Sequence, residues 1–305
     1  MISWLAGQTC EKANSQEHYM KRQDYLNRPQ VAAFINWLAS ELDSQVLFRH
    51  QYVERRSGKK WQCQSLYNAF QAYKWNHPGN DRLGFVAGDC STSNGLALSA
   101  LRKDLFAAAG NDTLMLQAAR DVMAWGGVTA GNGKWLDTNR SGLSKLIQTV
   151  RLAIDTGDLG HPVLRSKHLR FNAGMTKVYA LICEDFLIYD SRVAAALGWL
   201  VVKYCEAHGI AKVPDALCFP WAAAKEGENA NAPKRRDPGA AELKFKRLRP
   251  GSHHLKWNLQ ASWLLSAVLA HPQAATSPFN HRTGDHAPLR ALEASLFMIG
   301  YDLGA

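Results

Sequence analysis

No two of the six cysteines, at positions 10, 63, 90, 183, 205 and 218, stand in a C-x-x-C spacing. Zinc-ribbon and iron–sulfur scaffolds are therefore not expected. Cys183 and Cys205 fall inside apolar helical patterns and read as small core residues, and free thiols agree with a reducing compartment. Long hydrophobic runs are also missing; stretches such as ALGWLVV are far too short to span a bilayer. The start, MISWLAGQTCEK, has neither a basic opening nor a sustained apolar segment, so no secretory leader and a cytoplasmic location are expected. There is no Walker A loop, dinucleotide fingerprint or G-x-S-x-G. VAGDCSTSNG (86–95) resembles none of these; its Ser and Thr residues read as a helix N-cap, and Cys90 has no assignable histidine partner. HRTGDH sets His281 and His286 around Asp285, but in a glycine-containing loop without further ligands, so no metal site is expected. Acidic residues are few: 26 against 36 lysines and arginines, a net charge of +10. Such a balance points to a polyanionic partner, with nucleic acid ahead of an anionic membrane surface, or to a generally basic soluble protein.

What is present is mostly helical periodicity. Val31, Phe34, Ile35, Leu38 and Leu42 recur on one face, as do Leu114, Ala118, Val122 and Trp125 before Gly126-Gly127. Leu143, Leu146, Ile147, Val150 and Ile154 form a third stripe, and Trp257, Ala261, Leu264, Leu265 and Val268 a fourth. A last helix is predicted from Pro288 through Leu289, Leu292, Leu296 and Tyr301. Strand signals are confined to Gln45–Gln64, which reads as a hairpin turning at Ser57-Gly58. Residues 126–139 and 219–251 read as loops, the second strongly basic toward its end (KRRDPGAAELKFKRLRPG) and suited to touching a polyanion backbone. The fold class is therefore all-α, with at most a small N-terminal β-hairpin. Two helical lobes with a cleft are expected, divided as 1–135 and 136–305, or one continuous domain.

The most informative stretch is MTKVYALICEDFLIYDSRVAAALGWL, Met175 to Leu200. The run after Asp190 is strongly amphipathic, with Val193, Leu197, Leu200, Val201 and Tyr204 on one face and Gly209 at its end. Asp190 is thus placed as an N-cap, its carboxylate accepting backbone N–H groups. A second helix begins near Met175 or Thr176 and sets Lys177 in its first turn, where the helix dipole opposes positive charge. That position, with partial burial, lowers the pKa of an amine, and a neutral amine is a nucleophile. The plain alternative is a lysine reaching water along its stem. Upstream, RSKHLRFNAG carries Arg165, Lys167, His168 and Arg170 before an Asn172-Ala173-Gly174 turn, an arrangement that presents backbone N–H groups to a phosphate.

Thr176-Lys177-Val178 after a turn, followed by Asp190-Ser191-Arg192-Val193, resembles the helix-hairpin-helix DNA glycosylases, most closely the 8-oxoguanine DNA glycosylase type. The similarity covers about 169–204. The resemblance implies a helix-hairpin-helix element within 136–305, Lys177 as Schiff-base nucleophile and Asp190 as the catalytic carboxylate. It also implies that Arg192 lies near the target nucleotide and its phosphate. FNAGM offers one glycine, Gly174, where the family's hairpin usually carries a proline and two glycines, and the Lys177–Asp190 interval is shorter than in the eukaryotic members.

The expected activity is excision of a damaged or modified base from double-stranded DNA with the target nucleotide flipped out, with strand nicking by β-elimination. No metal or organic cofactor and no membrane partner are expected. The DNA-binding set comprises Arg165, Lys167, His168, Arg170, Gly174, Arg192, Lys234, Arg235 and Arg236. Trp125, Trp135 and Phe297 are candidates for the base pocket beside Trp257 and Trp263, and Asn132 for a wedge or an ordinary interhelical turn. His253-His254 read as capping or phosphate-contacting residues. A non-catalytic helical DNA- or RNA-binding protein is the competing reading, and a basic scaffold for an acidic protein the third.

Overall fold

The computed structural model describes residues 21–55, 57–224, 234–284 and 287–304. Among them the chain is mainly helical, with twelve α-helices and two small antiparallel two-stranded sheets. Cys10, Asp285 and His286 lie outside the described residues.

The N-terminal part runs α1 (Arg22–Leu26), α2 (Pro29–Glu41), β1 (His50–Val53), β2 (Lys60–Cys63) and α3 (Leu66–Gln71). The hairpin forms where turn chemistry predicts it, with Gly58 at a φ of +67° and His50 opposite Cys63. β3 (Lys74–His77) and β4 (Gly88–Cys90) make a second pair that the alternation pattern does not announce. The four helices α4 (Ser91–Ala107), α5 (Asp112–Trp125), α6 (Ala130–Thr138) and α7 (Leu143–Asp155) follow. At the start of α4 it is the Cys90 sulfur, not a Ser or Thr, that accepts the Ser93 N–H. Leu114 departs from its expected stripe and is 50% exposed, while Met115 takes the buried position.

The predicted loop over 126–139 is instead largely α6, because only its first residues are held by the glycine pair that ends α5. The remaining helices are α8 (Pro162–Arg165), a single turn, then α9 (Met175–Ile182), α10 (Ser191–Ala207), α11 (Ser252–Leu269) and α12 (Pro288–Ile299). The described residues between α10 and α11 contain a short 3₁₀ turn and isolated β-bridges.

Buried side chains form one connected cluster from Tyr25 to Ile299. α12 packs on α3 and α10, and α11 packs on α2, so elements from both ends of the chain share that cluster. The 135/136 division falls inside α6. Cys183 and Cys205 are both buried in the cluster. No described helix is long and apolar enough to cross a membrane.

Candidate active site

The α9–α10 unit positions the two chemistry-bearing groups. Asp190 caps α10: its Oδ1 accepts the backbone N–H groups of Arg192 (2.9 Å) and Val193 (3.1 Å). Lys177 sits in the first turn of α9 and its Nζ donates to the Ala173 carbonyl at 3.0 Å. Its Nζ lies 3.7 Å from Asp190 Oδ2, an ion pair of two mostly buried side chains, 7% and 12% exposed. The lysine stem passes Gly126, where a Cβ would stand 2.5 Å from Cδ and 2.7 Å from Cε. The glycine that ends α5 therefore also makes room for the amine.

Asp190 is delivered by a buried segment, Leu187 to Tyr189, whose backbone N–H groups are each paired, as burial demands. Leu187 N–H donates to Ser262 Oγ and its carbonyl accepts from Asn258 Nδ2. Ile188 N–H donates to Glu293 Oε2, and Tyr189 N–H to Thr176 Oγ1. The Tyr189 carbonyl accepts from His254 Nε2 at 2.7 Å. Glu293, Asn258 and His254 come from α11 and α12, so the position of Asp190 depends on the C-terminal helices.

Burial pulls the Lys177 amine below the ordinary lysine range; the Asp190 and Glu293 carboxylates oppose that, and the guanidinium groups of Arg192 and Arg290 add to it. For Asp190, burial acts upward. The Lys177 ammonium, the Val193 N–H and the charges of Arg192 and Arg236 outweigh it and hold the carboxyl below the usual aspartate range. The arrangement thus favours a carboxylate that stays ionised beside an amine that gives up its proton more readily than a free lysine.

Arg192, two residues into α10, is enclosed by rings: its guanidinium carbon lies 4.1 Å from the Phe297 centroid, 4.9 Å from Tyr301 and 5.6 Å from Trp75. Its side chain makes no hydrogen bond among the described residues, and burial lowers its pKa against the opposing charge of Asp190. Trp75 hydrogen-bonds the Trp125 carbonyl (3.0 Å) and reaches within 3.8 Å of where a Gly127 Cβ would stand. Tyr73 is half-buried, and burial, then the Glu293 charge, push its hydroxyl pKa up against the charges of Arg290 and Arg192. Trp75 and Tyr73 carry no signal of this role in the sequence, since no local pattern links β3 to α9 and α12. Of the base-pocket candidates, only Phe297 is brought to this place.

The other expected residues fall as follows. Trp125 is 5% exposed and its Nε1 donates to Asn94 Oδ1, so it is core rather than a stacking surface. Trp263 is likewise buried, and Trp257 packs edge-on to Phe219. Trp135 lies on α6 with its Nε1 toward the His168 carbonyl (3.3 Å). Asn132 is not an exposed wedge. It is buried, its Oδ1 accepting from Arg170 Nε (2.6 Å) and Asn172 Nδ2 (2.9 Å), its Nδ2 donating to the Val128 carbonyl.

The turn before α9 is closed by its own asparagine: Asn172 Oδ1 accepts the N–H groups of Gly174 (2.9 Å) and Met175 (3.0 Å). The Gly174 N–H is thereby occupied rather than offered to a phosphate. Gly174 is required there by packing, since a Cβ would fall 1.9 Å from Asn132 Nδ2. Arg165, Lys167 and His168 lie beside this turn, Lys167 and Arg165 at the surface, and Arg170 is half-buried. In the second basic run, Arg236 is buried, bonding the Tyr301 carbonyl (2.9 Å) and Ser191 Oγ (2.7 Å), and cannot serve as a surface contact. Arg235 is exposed but folds back on the carbonyls of Asp237 and Gly239, and Lys234 lies over the Tyr301 ring. His254 is buried against Tyr189 and does not contact solvent; His281 is exposed.

The surface concavity lined by Asp43, Gln64, Tyr67 and Pro278 contains neither member of the pair. Comparison of the chain with protein-family models, with curated proteins and with solved structures finds no match.

Proposed function

We propose that this chain is a DNA N-glycosylase with β-lyase activity, acting through Lys177 and Asp190. The observation that carries the reading is the 3.7 Å approach of the Lys177 amine to the Asp190 carboxylate at the starts of two consecutive helices. As the glycosidic bond of a flipped nucleotide breaks, its electron pair leaves with the base, and the Asp190 carboxylate stabilises the positive charge developing on the sugar. Lys177, once its ammonium has given up a proton to water, donates its lone pair to C1′ and forms a C–N bond; the C1′–O4′ bond then breaks, O4′ takes the proton lost from nitrogen, and the imine results. Loss of a C2′ proton and expulsion of the 3′-phosphate complete β-elimination. Because the pair is mostly buried, a sugar enters only when neighbouring side chains give way. Arg192, whose guanidinium lies on aromatic faces, is one such neighbour.

That low exposure also supports a second reading, a DNA- or RNA-binding protein in which Lys177–Asp190 is only a buried ion pair joining α9 to α10. Borohydride added to protein mixed with abasic duplex DNA separates the two. The enzyme is trapped as a covalent adduct that is absent in Lys177→Ala. A binder shifts the same DNA on a gel and leaves no adduct, and that result would overturn the catalytic reading.

A further inference from the structure

Within the basic run 234–251, Arg236 is buried and Arg235 folds back on backbone carbonyls, while further exposed cations stand on an extended strap just downstream. Along 243–249, Leu243, Phe245 and Leu248 pack on the core cluster, and Lys244, Lys246, Arg247 and Arg249 lie on the outer side. The strap backbone is anchored. Trp221 N–H donates to the Lys246 carbonyl (3.0 Å), and Leu248 N–H to the Trp221 carbonyl (2.7 Å). The Arg247 guanidinium lies 4.0 Å from the Trp221 ring centroid, and the Phe245 ring edge comes within 3.5 Å of where a Gly198 Cβ would stand on α10. Backbone bonding of this kind fixes the course of the strap, which lowers the backbone entropy lost when it engages a ligand.

The strap ends at the turn that holds Lys177. Arg249 N–H faces His253 Nδ1 (3.3 Å), and Gly251 N–H donates to the Phe171 carbonyl (2.7 Å), two residues before Ala173. His254 then bonds the Tyr189 carbonyl, next to Asp190. Lys256 is exposed on α11. Burial, then the charges of Arg249, Lys256 and Lys246, hold His253 below the usual histidine range. None of Lys244, Lys246, Arg247, Arg249 and Lys256 forms an ion pair among the described residues. Five exposed like charges without an ion-pair partner among the described residues repel one another, and a polyanion relieves that repulsion while releasing its own counterions.

We propose that the strap formed by Lys244, Lys246, Arg247 and Arg249, with Lys256, is a phosphate-contacting arm for duplex DNA, and that it delivers the strand to the Lys177–Asp190 pair from the Gly251–Phe171 side. The partner class rests on the DNA reading above; the arm itself rests on the five unpaired cations.

The experiment uses the full chain carrying Lys244→Gln, Lys246→Gln, Arg249→Gln and Lys256→Gln together. Arg247 is kept because it packs on Trp221. Binding of a fluorescent abasic-site duplex is measured by anisotropy across a potassium chloride series. The plot of log K against log salt is expected to become shallower by about 3 to 4, since each phosphate that is no longer neutralised removes roughly 0.9 from the slope. A charge-keeping set, with each lysine changed to arginine and Arg249→Lys, is expected to retain the parent slope. Should the fourfold variant fail to fold, Lys246→Gln with Arg249→Gln alone is expected to remove about 2 from the slope. An unchanged slope overturns the arm, and if the parent still forms the borohydride adduct the glycosylase reading survives it. A slope that depends on the strap in a parent that forms no adduct keeps the arm and removes the chemistry. Strap dependence seen with RNA and not with duplex DNA overturns the arm as a DNA contact.

Discussion

The Asp190 carboxylate accepts two backbone N–H groups through Oδ1 and faces Lys177 through Oδ2. Substitution can separate those roles. Asp190→Asn keeps an oxygen for the cap and removes the charge. Its stability in urea is expected to fall by about 3 kcal/mol because the buried Lys177 amine loses its counter-ion, while release of a base from intact duplex DNA slows by on the order of 10²-fold. Asp190→Ala loses the cap as well and is expected to be less stable by about a further 1 kcal/mol. Base release by Asp190→Asn at the parent rate would show that the residue has no share in breaking the glycosidic bond. Asp190 and Lys177 can be placed from the sequence because capping and first-turn positions are local properties, set by the few residues around them. Arg192 can be placed on its helix in the same way, but not its surroundings. Its aromatic enclosure is drawn from Trp75, Phe297 and Tyr301, more than a hundred residues away on either side.

At the level of elements, the turn before α9 and the helix α6 behave as one unit joined by Asn132. Its amide oxygen satisfies both Arg170 and Asn172, and Asn172 in turn closes the turn from which the Ala173 carbonyl holds Lys177. Asn132→Ala leaves those donors without an acceptor in a mostly buried place, a loss of about 1–3 kcal/mol. The expected signature is local: faster hydrogen exchange across 170–176 and a slower trapping rate, with α10 and α11 protected as before. Unchanged exchange in that segment would mean that the turn is held by its own Asx bonds alone. The wedge expectation for Asn132 fails because glycines and asparagines in the stretch look like loop composition. Helix formation across 130–138 instead buries Leu136 in the core. The strap at 243–249 is visible as basic sequence, but which of its charges face solvent depends on the bridge to Trp221.

At the scale of the molecule, the last two helices complete the site, with Asn258 and His254 from α11 and Glu293 from α12 fixing the segment that carries Asp190. His254 makes that dependence measurable. Burial lowers its pKa to about 4, against 6.5 for an ordinary histidine, the value expected in the unfolded chain. Between these values the unfolded chain binds the proton and the folded chain does not. The associated stability is therefore complete above about pH 6.5 and is lost as pH falls toward 4, to a total of about 3 kcal/mol. Urea unfolding at neutral pH and near pH 5 is expected to show a smaller drop for His254→Gln than for the parent. Equal drops would remove His254 from the acid response. The shared core is the reason a change on α11 is felt at the start of α10: the elements that meet there come from the whole length of the chain.

The sequence by itself determined the helical character, the β-hairpin near the N-terminus, the start of α10 and the presence of an amine and a carboxylate at two neighbouring helix entrances. Each of these follows from periodicity, turn chemistry or capping, which act over a few residues. Only the tertiary structure decided that the amine and the carboxylate meet, how little of either reaches solvent, which aromatic rings surround Arg192, and that Arg236 and Asn132 are internal supports. Those outcomes depend on packing between segments remote in sequence, where distance and burial are set by the whole fold and leave no local pattern to read.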